Sequence, residues 1–171
     1  MNKKQFTTKE ITKIAMMAAL VFIATYSLKV PSLHGYTHLG DCMIFISVLL
    51  LGGKKGAIAG GIGASLADLV GGYMVWIVPT FFIKFVMACI MGLFVEKFLS
   101  NVKFNWVIGA CVGGLFQIIA YTVVKIPLFG MAYAIAGIYG LTLQTISGVI
   151  ISILLISVLA KAKVINKLRE V

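Results

Sequence analysis

Apolar residues are grouped along the chain into six runs, which short polar or glycine-containing segments separate. Long, nearly uncharged runs of this kind are typical of helices that cross a lipid bilayer, which takes about 20 apolar residues. We place the runs at residues 11–28, 42–53, 56–74, 77–97, 104–124 and 133–160. The second run is short for a full crossing. The pattern predicts an all-α integral membrane protein, with a compact bundle of six transmembrane helices in a single domain covering residues 1–171.

Small residues recur at every fourth position in four of the six runs. The third run has Gly56, Gly60 and Ala64 in this register, and the other three runs show the same spacing. Residues four apart lie on one face of a helix, and small residues there let a second helix approach closely. Each of these stripes also contains one strong polar residue: Asp68, Lys84, Gln117 and Gln144. We expect these four side chains to face one cavity in the outer half of the bundle.

Asp68 and Lys84 carry charge inside apolar runs. A charged side chain at the centre of a membrane helix costs about 2.5–3.5 kcal/mol on insertion scales, and pairing the two residues would offset part of that cost. A purely structural ion pair is one interpretation. Ligand binding is the interpretation that we favour, because a buried ion pair can often be replaced by apolar residues without loss of stability.

The segment VPSLHGYTHLGD, from Val30 to Asp41, is the most polar stretch between the runs. Its rings Tyr36 and His38 either lie among lipid headgroups, which amphipathic rings prefer, or contact a ligand. Asp41 either caps the following helix or binds a ligand. The segment therefore predicts an outer loop that contributes to a binding site.

Three further side chains lie near the predicted outer ends of the runs. Trp76 fits an aromatic belt at the membrane interface, with stacking on a flat ligand as the alternative. Tyr133 can likewise cover a ring face of a ligand. We expect Lys125 to extend its ammonium group to the membrane surface.

The net charge is +10, and the positions of the basic residues are more informative than their number. Lys and Arg residues lie between the apolar runs and at the termini instead of along one helical face, so the charge predicts membrane topology and no nucleic-acid partner. By the positive-inside rule, both termini are cytoplasmic. Neither a Walker motif nor a Cys or His cluster at ligand spacing occurs, so we expect no ATP hydrolysis by this chain, no cofactor and no metal.

The chain resembles, over nearly its whole length, the substrate-binding S component of an energy-coupling factor (ECF) vitamin transporter. The resemblance is most specific in LGD followed by LLLGGKKGAIAGGIGASLADL, with AMMAA in the first run. Within that family it resembles members assigned to hydroxymethylpyrimidine or vitamin B6 compounds, near a group labelled riboflavin transporters.

The resemblance implies a six-helix protein of the bacterial plasma membrane that captures a vitamin from outside, under a cap formed by the loop after the first helix. It also implies docking on a membrane scaffold T protein that two ATP-binding cassette ATPases drive. Ala15 and Ala19 match the Ala-xxx-Ala motif that meets the scaffold in the family, whereas their spacing alone favours packing within the bundle.

Other functions remain open at the level of sequence. An S component for riboflavin or another vitamin is one. A stand-alone secondary transporter would need a coupling ion or a continuous path, which polar groups confined to the outer half do not favour. An intramembrane enzyme would need a nucleophile beside a base or a metal set, and no spacing identifies either.

Overall fold

The computed structural model describes residues 6–27, 29–32, 35–102 and 104–161. Within these ranges the fold is a bundle of six α-helices with a small β-hairpin at one end. The helices are α1 (Thr8–Ser27), α2 (Gly40–Leu51), α3 (Gly53–Val70), α4 (Ile77–Leu93), α5 (Asn105–Phe129) and α6 (Met131–Lys161). A 3-10 turn (Met74–Trp76) precedes α4, and a π-helical turn (Phe94–Phe98) follows it.

Four stretches of the described chain are long and apolar enough to cross a membrane. They are Thr8–Ser27, Met74–Phe98, Asn105–Phe129 and Met131–Leu159. Helix α2 has 12 residues. At about 1.5 Å per residue it is shorter than the hydrocarbon core of a bilayer, which is about 30 Å thick. The all-α membrane architecture is thus confirmed, whereas complete crossings by α2 and α3 remain a prediction.

The loop after α1 contains two short strands that the helical pattern does not predict. Strand β1 (Lys29–Ser32) pairs antiparallel with β2 (Gly35–His38), with Pro31 opposite Tyr36. Isolated two-stranded hairpins are marginally stable on their own. Here β2 also contacts α1 and α6. The hairpin is therefore held against the end of the bundle.

The start of α1 is a capping box, formed by Thr7 and Glu10. The backbone N–H of Thr7 donates to Oε2 of Glu10 at 2.9 Å, and the N–H of Glu10 donates to Oγ1 of Thr7 at 3.3 Å. These reciprocal bonds satisfy two N–H groups that the first helical turn leaves without partners. They begin the helix at Thr8, three residues before the apolar run.

Single glycines make the two tightest connections. Gly52 joins α2 to α3 with φ of 85°, and Gly130 joins α5 to α6 with φ of 87°. Glycine adopts such angles without the steric penalty that a Cβ brings. The connection between α2 and α3 is therefore one residue long, because the chain is helical again from Gly53.

Helix α3 lies at the centre of the bundle and packs against α1, α2 and α4. Its small-residue stripe is buried through Gly56, Gly60, Ala64 and Asp68, as predicted. A Cβ at Gly60 would lie 2.8 Å from Cγ2 of Ile44 on α2. Small residues therefore allow α3 the close approach to its neighbours that the spacing indicates.

Candidate functional site

A cavity of about 150 Å³ opens at one end of the bundle. It lies where α1, α3 and α5 end and where α4 and α6 begin, beside strand β2. Its lining residues are Thr25, His38, Asp68, Tyr73, Trp76, Thr80, Tyr121, Lys125, Tyr133, Leu141 and Gln144. Five side chains predicted for a site, namely His38, Asp68, Trp76, Tyr133 and Gln144, are thus brought together.

Aromatic side chains form one wall of this cavity. The ring of Trp76 lies 5.8 Å from that of Tyr121 and 5.9 Å from that of Phe129, and Phe129 lies 5.0 Å from Tyr133. The hydroxyl of Tyr121 donates to Oγ1 of Thr80 at 3.1 Å. Trp76 therefore belongs to the cavity wall, as the alternative of stacking on a flat ligand requires, while its place in an interfacial belt stays a prediction. Such a wall presents ring faces on which a flat ligand can stack.

Two charged side chains also line the cavity. Asp68 is 5% exposed near the end of α3, and Lys125 is 8% exposed on α5. The expectation that Lys125 reaches the membrane surface is wrong, because the residue is buried and its side chain lines the cavity. Its ammonium nitrogen lies 5.9 Å from the centre of the Tyr133 ring.

A buried polar network lies next to the cavity. Lys84 forms an ion pair with Oδ1 of Asp41 and donates to Oε1 of Gln117 at 2.5 Å. Nε2 of Gln117 donates to Oδ2 of Asp41 and to Oγ1 of Thr145, both at 2.7 Å. Nε2 of Gln144 donates to Oδ2 of Asp41 at 3.0 Å. We call these five residues the Asp41 network; it connects α2, α4, α5 and α6.

The Asp41 network revises two sequence interpretations. Lys84 is paired with Asp41 and not with Asp68, because the first turn of α2 enters the space between α4 and α6. Asp41 does not cap that helix: Leu39 is the N-cap residue and makes no side-chain cap bond. A further expectation, that all four polar residues of the stripes face one cavity, is wrong for Lys84 and Gln117, which like Asp41 have no exposed surface. Gln144, at 4%, is the member of the network that also reaches the cavity.

His38 connects the hairpin to the start of α2. Its Nδ1 accepts a 3.1 Å hydrogen bond from the backbone N–H of Gly40, so this nitrogen is the unprotonated one. The ring is buried and lines the cavity, so it does not lie among lipid headgroups. The side chain of Tyr36, also predicted for the site, lies outside the described residues.

The small pair on α1 faces away from the bundle. Ala15 and Ala19 are exposed, whereas Ile14, Ala18 and Val21 on the same helix are buried. The spacing alone favours packing of Ala15 and Ala19 against other helices of this chain, but both residues are exposed, so such packing does not explain why they are small. The two small side chains leave a shallow face on α1 that a second helix can approach closely.

Comparison with known proteins identifies the family to which the chain belongs. The family model for the S component of ECF-type riboflavin transporters matches residues 5–161. The chain belongs to this family. The protein is accordingly a multi-pass membrane S component of an ECF vitamin transporter, and the resemblance seen in the sequence is confirmed. Membership in general implies a vitamin substrate and a partner module of T protein and ATPases.

Two similar proteins differ in what their names say. An uncharacterized protein in a gap 3′ region of Pyrococcus woesei is 35% identical over 122 residues, which cover 71% of this chain and 80% of that protein. The thiamine precursor transporter HmpT of Lactococcus lactis subsp. cremoris (strain MG1363) is 27% identical over 165 residues, covering 95% of this chain and 94% of that protein. The second similarity extends over almost the entire length of both chains.

Several lining residues were absent from the predicted site. Thr25, Tyr73, Thr80, Tyr121 and Lys125 all line the cavity. Tyr121 continues the small-residue stripe of α5 one turn beyond Gln117, so its position was visible in the spacing. Lys125 lies one further turn along the same stripe, and Thr80 lies one turn before Lys84 on α4, so their positions also follow the spacing. Thr25 and Tyr73 lie outside the four stripes, and their common feature is a place near a helix end at the same side of the bundle.

Proposed function

We propose that this S component captures a small single-ring vitamin or vitamin precursor, similar to hydroxymethylpyrimidine or pyridoxine, at the outer face of the membrane. The observation that carries the proposal is the cavity of about 150 Å³ with charged, amide and aromatic lining. A protein cavity of about 150 Å³ takes one benzene-sized ring. The similarity to a thiamine precursor transporter over nearly the full chain supports the same substrate class.

The lining residues match the chemistry of such a ring. Asp68 accepts from an amino or ring N–H group, and Trp76 and Tyr133 cover the ring faces. Gln144 uses its amide nitrogen for Asp41, which leaves its carbonyl oxygen for a ligand donor. Each polar group of the ligand needs such a partner, since an unmatched buried group costs about 1–3 kcal/mol. His38 and Tyr36 complete the proposed site from the hairpin.

The proposed site is also supported by three buried residues that do not line the cavity: Asp41, Lys84 and Gln117. They have no exposed surface, and they act on the ligand through Gln144, whose side chain they orient. A hydrogen-bonded network that satisfies every member makes a rigid base for a polar contact. In this proposal the charges are kept because they fix the geometry of Gln144, which an apolar replacement would leave free.

The distribution of lysines supports an outward-facing cavity. Lys9, Lys54, Lys55 and Lys97 lie where α1 and α3 begin and where α4 ends, opposite the cavity. Cytoplasmic segments carry the excess of Lys and Arg in membrane proteins. In this orientation both termini lie in the cytoplasm, all six helices cross the bacterial plasma membrane, and the hairpin caps the cavity from outside.

Uptake in this proposal depends on partner proteins. The chain contains no phosphate-binding motif, so a T protein with two ATP-binding cassette ATPases supplies the energy. The exposed pair Ala15 and Ala19 forms the docking face for a helix of the T protein. A stand-alone secondary transporter is disfavoured because the cavity floor is closed by the Asp41 network, in which Asp41, Lys84 and Gln117 have no exposed surface.

Riboflavin is the second candidate substrate, favoured by the description of the matching family. Its three fused rings and ribityl chain are larger than one benzene-sized ring, so it would need a cavity wider than about 150 Å³. Calorimetry on the detergent-solubilised chain with hydroxymethylpyrimidine, pyridoxine and riboflavin separates the two. We expect saturable binding of a single-ring compound. Binding of riboflavin alone would replace the proposed substrate class, and mass spectrometry of co-purified small molecules provides an independent check.

A further inference from the structure

Lys125 is a buried cation of the cavity for which the described residues offer no hydrogen-bond acceptor. Its side chain is 8% exposed, and its ammonium nitrogen faces the Tyr133 ring at 5.9 Å. Within the described parts of the chain, the ion pairs are Lys55 with Glu10 and Lys84 with Asp41, and neither includes Lys125. Its surroundings therefore differ from those of the other buried lysine, Lys84, which has two oxygen acceptors.

An ammonium group that faces a partly enclosed cavity is stabilised by an acceptor there, because the loss of water contacts disfavours its charged form. Contact with an aromatic face compensates only part of the loss. Charged residues within membrane helices therefore mark substrate or ion sites by default. Since the cavity is the space that Lys125 faces, the missing acceptor belongs to whatever fills the cavity.

The helix opposite Lys125 makes room for this ammonium group. Gly137 on α6 is buried, and a Cβ at that position would lie 2.5 Å from Nζ of Lys125 and 3.5 Å from its Cδ and Cε. Any larger residue at position 137 would thus push the end of the lysine side chain away from α6. Gly137 therefore determines where in the cavity the charge lies.

We propose that Lys125 binds the substrate directly, by donating a hydrogen bond to an acceptor atom of the ring compound, either a ring nitrogen or a hydroxyl oxygen. The inference rests on the proposed function and adds a specificity residue to it. An ammonium group has three donors and no acceptor, so it selects a neutral or anionic acceptor and rejects a cationic group at that place. Asp68 lines the same cavity and accepts a hydrogen bond from a donor group of the ligand. Lys125 and Asp68 therefore bind an acceptor and a donor at different edges of one ring.

Two substitutions test this assignment by different routes. Lys125→Met removes the charge and keeps most of the side-chain volume. Gly137→Ala keeps the charge and displaces it, and the clash is with the flexible end of a side chain, which folding tolerates. Ala136→Val is the matched control for Gly137→Ala, because Ala136 is exposed on the same helix. Affinities for hydroxymethylpyrimidine and pyridoxine are measured by calorimetry, and the ligand-free melting temperature of each variant is measured alongside.

We expect both Lys125→Met and Gly137→Ala to weaken binding at least about tenfold, with ligand-free melting temperatures near that of the wild type and no effect of Ala136→Val. If the wild-type chain binds either ring and both variants bind it equally well, the role of Lys125 is overturned and the proposed function stands. If the wild-type chain binds neither compound, the proposed function fails and the inference fails with it. Should Lys125→Met not fold, Gly137→Ala decides alone, and unchanged affinity in that variant overturns the assignment.

Discussion

Nε2 of Gln144 donates a 3.0 Å hydrogen bond to Oδ2 of Asp41, across 103 positions of the chain. Gln144 lines the cavity, and Asp41 has no exposed surface. This bond joins the cavity wall to the ion pair between Asp41 and Lys84. It also ties the first turn of α2, directly after the hairpin, to α6. Asp41 thereby links the polar centre of the bundle to the start of α2, directly after the hairpin.

The first prediction concerns the stability of that centre. Lys84→Met should lower the free energy of unfolding by about 3–5 kcal/mol, because it leaves the Asp41 carboxylate buried without its cation. The double variant Asp41→Asn/Lys84→Met should lose less than the sum of the two single variants, since residues of one network are coupled. Unfolding in detergent, followed by circular dichroism, measures both quantities. Lys54→Met, at an exposed position, is the control. Strictly additive losses would contradict the coupling.

Asp68→Asn should instead affect binding. The substitution keeps the size of the side chain and removes the charge that accepts from the ligand, so affinity for the single-ring substrate should fall at least about tenfold. Calorimetry provides the measurement. Ser65→Ala is the control, because Ser65 is buried one turn earlier on α3 and its hydroxyl donates to the backbone carbonyl of Ile62 in the same helix. Unchanged affinity in Asp68→Asn would move the ligand contact elsewhere in the cavity.

Substitutions at the exposed pair on α1 should separate binding from transport. Ala15→Leu or Ala19→Leu should abolish uptake by cells that contain the partner proteins, because bulk at either position keeps the partner helix at a distance. Binding by the isolated chain should stay at the wild-type level. Ala136→Leu makes the same change at an exposed alanine on α6. Lost binding together with a lower melting temperature would show that the pair acts in the fold of this chain.

The orientation in the membrane is checked by thiol labelling of intact cells, in a background with Cys42, Cys89 and Cys111 replaced. Ser32→Cys in the hairpin should react with a membrane-impermeant reagent. Ser100→Cys, in the exposed turn before α5, should react only after the cells are opened. The charge distribution predicts this result, since the lysine-rich ends of the helices face the cytoplasm. The reverse labelling pattern would invert the proposed topology.

The sequence alone determined the helices and their packing faces, because both depend on periodicity within one segment. Periodicity alone predicts the small-residue stripe of α3 and the polar residue in each of the four stripes. The capping box of Thr7 and Glu10 is also visible in the sequence, because the two residues are three positions apart. The family was equally visible, since its motifs are contiguous in the chain.

Only the tertiary structure decided which polar groups meet. Asp68 seemed the partner of Lys84 because the two lie 16 positions apart on adjacent runs, yet Asp41 reaches Lys84 once α2 packs between α4 and α6. Lys125 seemed free to reach the surface, yet it is buried beside Gly137 of α6 and lines the cavity. Which polar groups pair depends on contacts between distant segments, and no local period in the chain records it.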